Sequence, residues 1–294
     1  MNYVITGSLG NISKPIVAAL VAAGHSVKVI TSSADRVAAI EDLGATALVG
    51  SVEEASFVNS SFAGADAVYL MVPPKWAVAN WLAYQQQISD NYVAAIAANN
   101  IKYVVQLSSI GAHLRKGAGP IDGLGYLEEK LAPLTDVNLL MLRPSYFMNN
   151  LYGMIGLVKQ ANIFGANFGG KEPLVLVDPS DIAAVASEAL LHFAFKGHSI
   201  QYIASDERTT DEIAAILGEA IGKPGTPWVV FTDEQSLQGM LGAGLDEEIA
   251  NGYTQMGKSI REGLIQEDYF KHKPVLGKIK LEDFAKGFAA AYNA

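Results

Sequence analysis

The chain has 294 residues, 50% of them hydrophobic and 17% charged, which excludes a disordered chain and suggests about two domains or one large α/β unit with an appendage. Its 21 basic and 30 acidic residues leave a net charge of −9, which argues against nucleic-acid binding, and 28 Gly with 11 Pro is ordinary usage that excludes collagen-like architecture. Cysteine is absent, so disulfides, thiolate metal sites and a cysteine nucleophile are excluded together.

Asn2–Ile5 already reads as a strand, which leaves no space for a secretory leader in this stretch. The apolar stretch Pro15–Val27 falls well short of the about 20 residues that a bilayer core requires, so a cytoplasmic location is expected. Strands are expected at Tyr3–Thr6, Ser26–Thr31, Ala47–Val49, Ala67–Val72, Tyr103–Leu107 and Asn138–Leu142. Helices are expected at Ser13–Ala23, Ala34–Leu43, Glu53–Phe62, Trp81–Asn99 and Tyr126–Leu134. The strand runs are nearly continuous in apolar residues, as strands buried on both faces must be, and the alternation predicts a doubly wound parallel α/β sheet. After Pro144 the pattern loosens; Leu174–Val177 reads as a strand, Asp178–Phe193 as a helix, and residues 208–294 as mostly helical apart from Trp228–Phe231. The expected division is a Rossmann domain over residues 1–150, to which 171–205 return, and a smaller, mostly helical substrate domain from 151–170 and 206–294.

Between the first strand and first helix stands Gly7-Ser8-Leu9-Gly10-Asn11-Ile12-Ser13, with Pro15 in the helix's first turn. Glycines let the backbone turn tightly and approach a pyrophosphate, which then lies at the helix N-terminus. The alternative is a purely structural turn. Ser13 stands where a third glycine is expected, a departure that predicts looser helix–strand packing. An NAD-selective site places a carboxylate about 20 residues after such a loop. Thr31, Ser32 and Ser33 stand there instead, with Arg36 a turn further on, and these suit a 2′-phosphate, so NADP(H) is favoured over NAD(H). Asp35 works against this preference, and Arg36 reads equally as a solvated helix residue.

Thr6-Gly-Ser-Leu-Gly10, Phe62-Ala-Gly-Ala-Asp-Ala-Val-Tyr-Leu70, Leu107-Ser-Ser-Ile-Gly111, Leu142-Arg-Pro-Ser-Tyr-Phe-Met-Asn-Asn150 and Leu176-Val-Asp-Pro-Ser-Asp-Ile-Ala-Ala184 resemble the NmrA-like group of atypical short-chain dehydrogenase/reductases. That resemblance implies a Rossmann fold and a nicotinamide cofactor. It also implies one of two roles: a reductase of a small carbonyl, enone or quinone, or a sensor that binds NADP(H) without turning it over. Expected cofactor contacts are Gly7, Ser8, Leu9, Gly10, Asn11, Ile12, Thr31, Ser32, Arg36, Ser51, Val72, Pro73, Lys130 and Tyr146.

For chemistry, the expected set is Ser108, Tyr126 and Lys130. A Tyr and Lys four apart share a helix face, so the lysine can lower the phenol's pKa and hold the ribose while Ser108 orients the carbonyl. The wider dehydrogenase signature has this Tyr-x-x-x-Lys, whereas the NmrA-like group usually keeps only the lysine. Tyr126 therefore also reads as a packing residue. The same pattern recurs at Tyr269-Phe-Lys-His-Lys273, and the family's Asn after the fourth strand is not evident at Val72-Pro-Pro. Gly252-Tyr-Thr-Gln-Met-Gly-Lys-Ser259 fits the P-loop formula but follows a polar helical stretch rather than a buried strand, and is read as chance. Trp76 and Trp81 read either as walls of a flat-substrate pocket or as core. The loop carrying His113 and five glycines reads as a mobile cover or a flexible insertion. No metal-ligand spacing links the histidines. The partner expected is a small molecule, with no membrane or nucleic acid and a homodimer left open.

Overall fold

A computed structural model describes residues 1–294. Seven parallel strands form the main sheet: β1 (Asn2–Ile5), β2 (Ser26–Thr31), β3 (Thr46–Val49), β4 (Ala67–Leu70), β5 (Tyr103–Leu107), β6 (Asn138–Pro144) and β10 (His198–Ile203). Their order is β10-β6-β5-β4-β1-β2-β3, so the order reverses between β1 and β4 and opens a crevice at their C-terminal ends. Successive residues of each strand enter opposite layers. Tyr3, Ile5, Ala67 and Tyr69 pack with α1 (Ser13–Ala22), α2 (Val37–Glu41) and α7 (Pro179–His192). Val4, Val68 and Leu70 pack with α3 (Ala55–Phe62), α4 (Trp81–Ala98) and α5 (Asp122–Leu131). Two-sided burial is the reason the runs are continuous in apolar residues.

The remainder builds on the C-terminal side of this sheet. β7 (Tyr146–Phe147), β9 (Leu174–Val177) and β11 (Asp206–Arg208) form a small sheet in the order β11-β9-β7, and β8 (Phe164–Ala166) pairs with β12 (Trp228–Val230). The segment 171–205 thus divides: β10 completes the main sheet beside β6, while β9 joins the small one. A further core gathers Met148, Leu151, Phe164, Leu217 and Phe288 from the 148–154 turn, β8, α8 (Thr210–Ala220) and α12 (Leu281–Asn293), with α6 (Ile155–Ala161) beside it. Two more helices, α9 (Asp233–Gly242) and α10 (Glu247–Arg261), cross toward the Rossmann side, and the short α11 (Glu267–Lys271) follows.

The glycine-containing loop after β5 forms two short 3-10 turns, Ala112–Leu114 and Gly119–Ile121. It is clamped rather than free. A Cβ on Gly119 would stand 2.0 Å from the Gly252 carbonyl oxygen of α10, and Ser259 donates to the Gly117 carbonyl. The cover over this side of the sheet is therefore α10. The P-loop look-alike lies inside that helix, so its amides are committed to helical bonding rather than to a phosphate cradle. No helix is long and apolar enough to cross a membrane.

Candidate functional site

The turn after β1 depends on two left-handed residues, Gly7 at φ +87° and Ser8 at φ +55°. A Cβ on Gly7 would meet Met71 and Ser13 at 2.7 Å, which makes glycine necessary there. Gly10 closes the turn by donating to the Gly7 carbonyl at 3.2 Å. Ser13 does not loosen the packing as expected. It is buried, and its hydroxyl donates to the Thr6 carbonyl at 3.0 Å, tying α1 to β1 by a hydrogen bond instead of close glycine contact. The amides of Leu9, Asn11 and Ile12 donate to no protein acceptor, and the N-cap position of α1 has no side-chain cap. Exposed donors at the positive end of a helix suit a pyrophosphate. Leu9 and Asn11 border a cleft of ≈ 330 Å³ that Gly10 and Lys14 also line, opposite Asn149 and the start of α7 at Asp178–Ser180, while Ile12 is buried beneath it. Asn149, Lys14 and Ser180 were not expected there; nothing local in their sequence marks them.

The end of β2 is organised around Thr31, whose hydroxyl accepts from Ser8 at 3.0 Å and from the Ser33 amide at 3.3 Å. Ser32 and Arg36 are exposed, and Arg36 forms no salt bridge. Asp35 accepts from Ser33 at 3.3 Å. Ser51 lies just beyond β3 and accepts from the Glu53 amide at 3.2 Å. Val72 and Pro73 follow β4, where Tyr92 and Tyr84 donate to the Met71 and Pro73 carbonyls at 2.9 Å and 3.1 Å. These expected cofactor positions thus lie at the C-terminal edge of β1–β4.

Beyond β5 and β6 lies a smaller internal cavity of ≈ 100 Å³, lined by Ser109, Ser145, Tyr146 and Asn150 and roofed by Met256 and Ile260 of α10. Most of its lining is apolar. The Ser145 hydroxyl is buried without a partner. The Tyr146 phenol is pushed up by burial first and by the nearby Tyr253 second. Tyr253, one turn before Met256 on α10, stacks on Trp76 at 6.2 Å and tilts against Trp81 at 5.7 Å. The two tryptophans divide the roles foreseen for them: Trp81 is buried core, whereas Trp76 is 56% exposed beside the roof.

The expected catalytic set is not brought together. Tyr126 donates to Asp90 of α4 at 3.0 Å on the protein's outer side, and exposed Lys130 lies 5.1 Å from the Tyr126 ring centroid. Ser108 instead points inward and donates to Glu128 at 2.6 Å. Two residues along a helix are about 200° apart in rotation, so α5 cannot present both Glu128 and Tyr126 to the strand ends. Glu128 wins the inner face because Arg143 is there. The two are both buried and pair at 2.6 Å, and Arg143 continues to Tyr202 at 2.9 Å and Asp268 at 3.2 Å. Lys130, expected both as a cofactor contact and in the catalytic set, thus lies with Tyr126 on the outer face of α5. The twin motif is equally structural: buried Tyr269 donates to Glu207 at 2.7 Å, and Lys273 pairs with the same carboxylate at 2.8 Å.

An NAD(P)H azoreductase from Xenophilus azovorans is 24% identical over 300 residues, covering 99% of each chain. The fold matches an NADPH-dependent quinone oxidoreductase from Escherichia coli, solved with NADPH, at TM-score 0.82 and 16% identity over 97% of this chain and 99% of that one. Citrobacter sp. triphenylmethane reductase with NADP(H) matches at TM-score 0.81 and 17% identity, over 98% and 99% of the two chains. Residues 2–263 match the model of the NmrA-like family, and the chain belongs to that family.

Proposed function

We infer that the chain is an NAD(P)H-dependent oxidoreductase that prefers NADP(H) and reduces a small carbonyl, enone or quinone. The observation that carries this reading is the unpartnered amide cradle at Leu9, Asn11 and Ile12, with an apolar cavity further along the same strand edge. Gly7 to Ile12 would hold the pyrophosphate, Thr31, Ser32 and Arg36 the adenosine side, Ser51, Val72 and Pro73 the middle, and Tyr146 the nicotinamide side. The nicotinamide, when bound, supplies a hydride. Unpaired Arg36 and the hydroxyl of Ser32 support the phosphorylated cofactor, because a guanidinium offers phosphate a forked, charged donor. At ≈ 100 Å³ the cavity has to widen by movement of its α10 roof to admit a flat acceptor, whose ring its mostly apolar lining then favours and whose oxygen the wall hydroxyls orient. Relatives named as reductases, one of them matched over 99% of each chain and another over about three quarters, support turnover rather than sensing.

The test is NADPH oxidation by the full chain against a panel of quinones and aldehydes. Turnover of at least one class is expected. Tight NADPH binding with no oxidation across the panel would replace this reading with that of a nucleotide sensor.

A further inference from the structure

With Tyr126 on the outer face of α5, the acceptor's oxygen needs donors from elsewhere. Buried polar groups are almost always satisfied, so an orphan at a cavity wall requires an explanation. Ser145 is 3% exposed and its hydroxyl has no partner. Its neighbour Tyr146 lines the same cavity and is half-buried, with its phenol free of any side-chain partner in the protein. Both backbones are fixed: Ser145 donates its amide to the Ile203 carbonyl at 3.0 Å, and Tyr146 is paired with Leu176 in the small sheet. Tyr146 also packs edge-on against Phe168 at 5.8 Å. The other polar side chains of this mostly apolar lining include Ser109, whose hydroxyl donates to the Ile110 carbonyl, and Gln266, whose amide is held by Val175 and Pro173. The Ser145 and Tyr146 hydroxyls on the strand exit are thus left as a preorganised donor pair.

We propose that Ser145 and Tyr146 are the hydrogen-bond donors that bind and polarise the carbonyl oxygen of the acceptor, a role the sequence pattern assigns to Ser108 and Tyr126. This rests on the oxidoreductase reading. When the acceptor's carbon takes the hydride, the π pair of its C=O bond moves to the oxygen held by the two hydroxyls. For an aldehyde the resulting alkoxide is basic enough to take the Tyr146 proton, giving the alcohol, and water returns a proton to the phenolate. A hydroquinone anion is only about as basic as a phenolate, gains little from the Tyr146 proton, and is protonated by the acid component of the buffer at neutral pH. For quinones the pair therefore acts through binding alone.

The experiment uses benzamide, a carbonyl compound resistant to hydride reduction, titrated into the protein saturated with NADP+ and followed by tryptophan fluorescence. Parallel kinetics use NADPH with benzaldehyde and with 1,4-naphthoquinone. Benzamide should bind the wild type. Its affinity should fall about 5- to 10-fold in Ser145→Ala and in Tyr146→Phe, the loss of one neutral hydrogen bond. Benzaldehyde kcat should fall about 10²-fold or more in Tyr146→Phe, as for removal of a general acid, and naphthoquinone kcat by much less. NADPH affinity should be retained in Ser145→Ala, which alters none of the expected cofactor contacts. Wild-type turnover without benzamide binding, equal benzamide affinity in all three proteins, or a loss in Ser145→Ala confined to NADPH binding overturns the assignment. If benzamide behaves as expected yet no acceptor is ever reduced, the donor pair stands and the oxidoreductase reading falls.

Discussion

At the scale of single residues, the site is decided by which way a side chain points, and spacing along the sequence is a poor guide to that. Tyr126 and Lys130 share a face, as a four-residue interval requires, but the interval does not say which face. The apolar positions Leu124, Leu127 and Leu131 do: Glu128 falls within their stripe, and Tyr126 and Lys130 fall outside it. That signal was present in the sequence and points to the buried Glu128–Arg143 pair. Tyr126→Phe should accordingly lose only the Asp90 hydrogen bond, change stability by no more than about 0.5 kcal/mol, and leave aldehyde turnover intact. A fall in kcat of about 10² or more in that variant would restore Tyr126 as the acid. Arg36 is argued from charge, and a guanidinium–phosphate contact contributes about 1.5–3 kcal/mol. Arg36→Ala should therefore weaken NADPH at least about tenfold and NADH hardly at all, as read by fluorescence titration of both nucleotides.

Among elements, long buried strands and their helices were legible because two-sided burial writes an unbroken apolar run, and β2 and β5 fall at their expected limits. The elements around the substrate cavity were not. β7, β8 and β11 have two or three residues each, too short for a period to show, and they exist because of pairing to distant segments such as Tyr146 with Leu176. The β5–β6–α5 junction depends on a charge pair that sequence alone does not join. Removing one member of a buried pair leaves the other uncompensated, at about 3–5 kcal/mol. Glu128→Ala strands Arg143 and the Ser108 hydroxyl together, so a loss of that size is expected in urea unfolding. Near-neutral behaviour would mean that Asp268 and solvent replace Glu128. The α9–α10 pair has a different, pH-dependent tie. Hydrogen bonds from Arg261 and Asn167 hold Asp233 down to about 2, against the usual 3.8. The folded value lies below the unfolded one. The stabilisation is thus fully present above about pH 5 and is lost as pH falls through about 2. Thermal melts of Asp233→Asn should lack that acid-side component, whereas the wild type should show it.

For the whole molecule, the nucleotide cradle and the substrate roof are built from separate sets of contacts. The cradle belongs to β1, α1 and the start of α7, whereas the roof is α10, brought over the strand ends by its close approach to the loop after β5. That approach passes through Gly119, which has φ +59° and faces the Gly252 backbone with no space for a side chain. Backbone cannot move aside as a flexible side chain can, so Gly119→Ala must lift α10 or distort the loop. Overpacking of this kind typically costs about 1–3 kcal/mol. Displacing α10 also shifts Met256 and Ile260 at the cavity and the Tyr253–Trp76 stack at its rim. The acceptor's KM should therefore rise about tenfold or more in Gly119→Ala. The dissociation constant for NADPH, set about the Gly7–Ile12 turn, should stay within about twofold. A variant that loses both affinities together would show that roof and cradle move as one body, and a variant that loses neither would show that α10 does not bound the acceptor site.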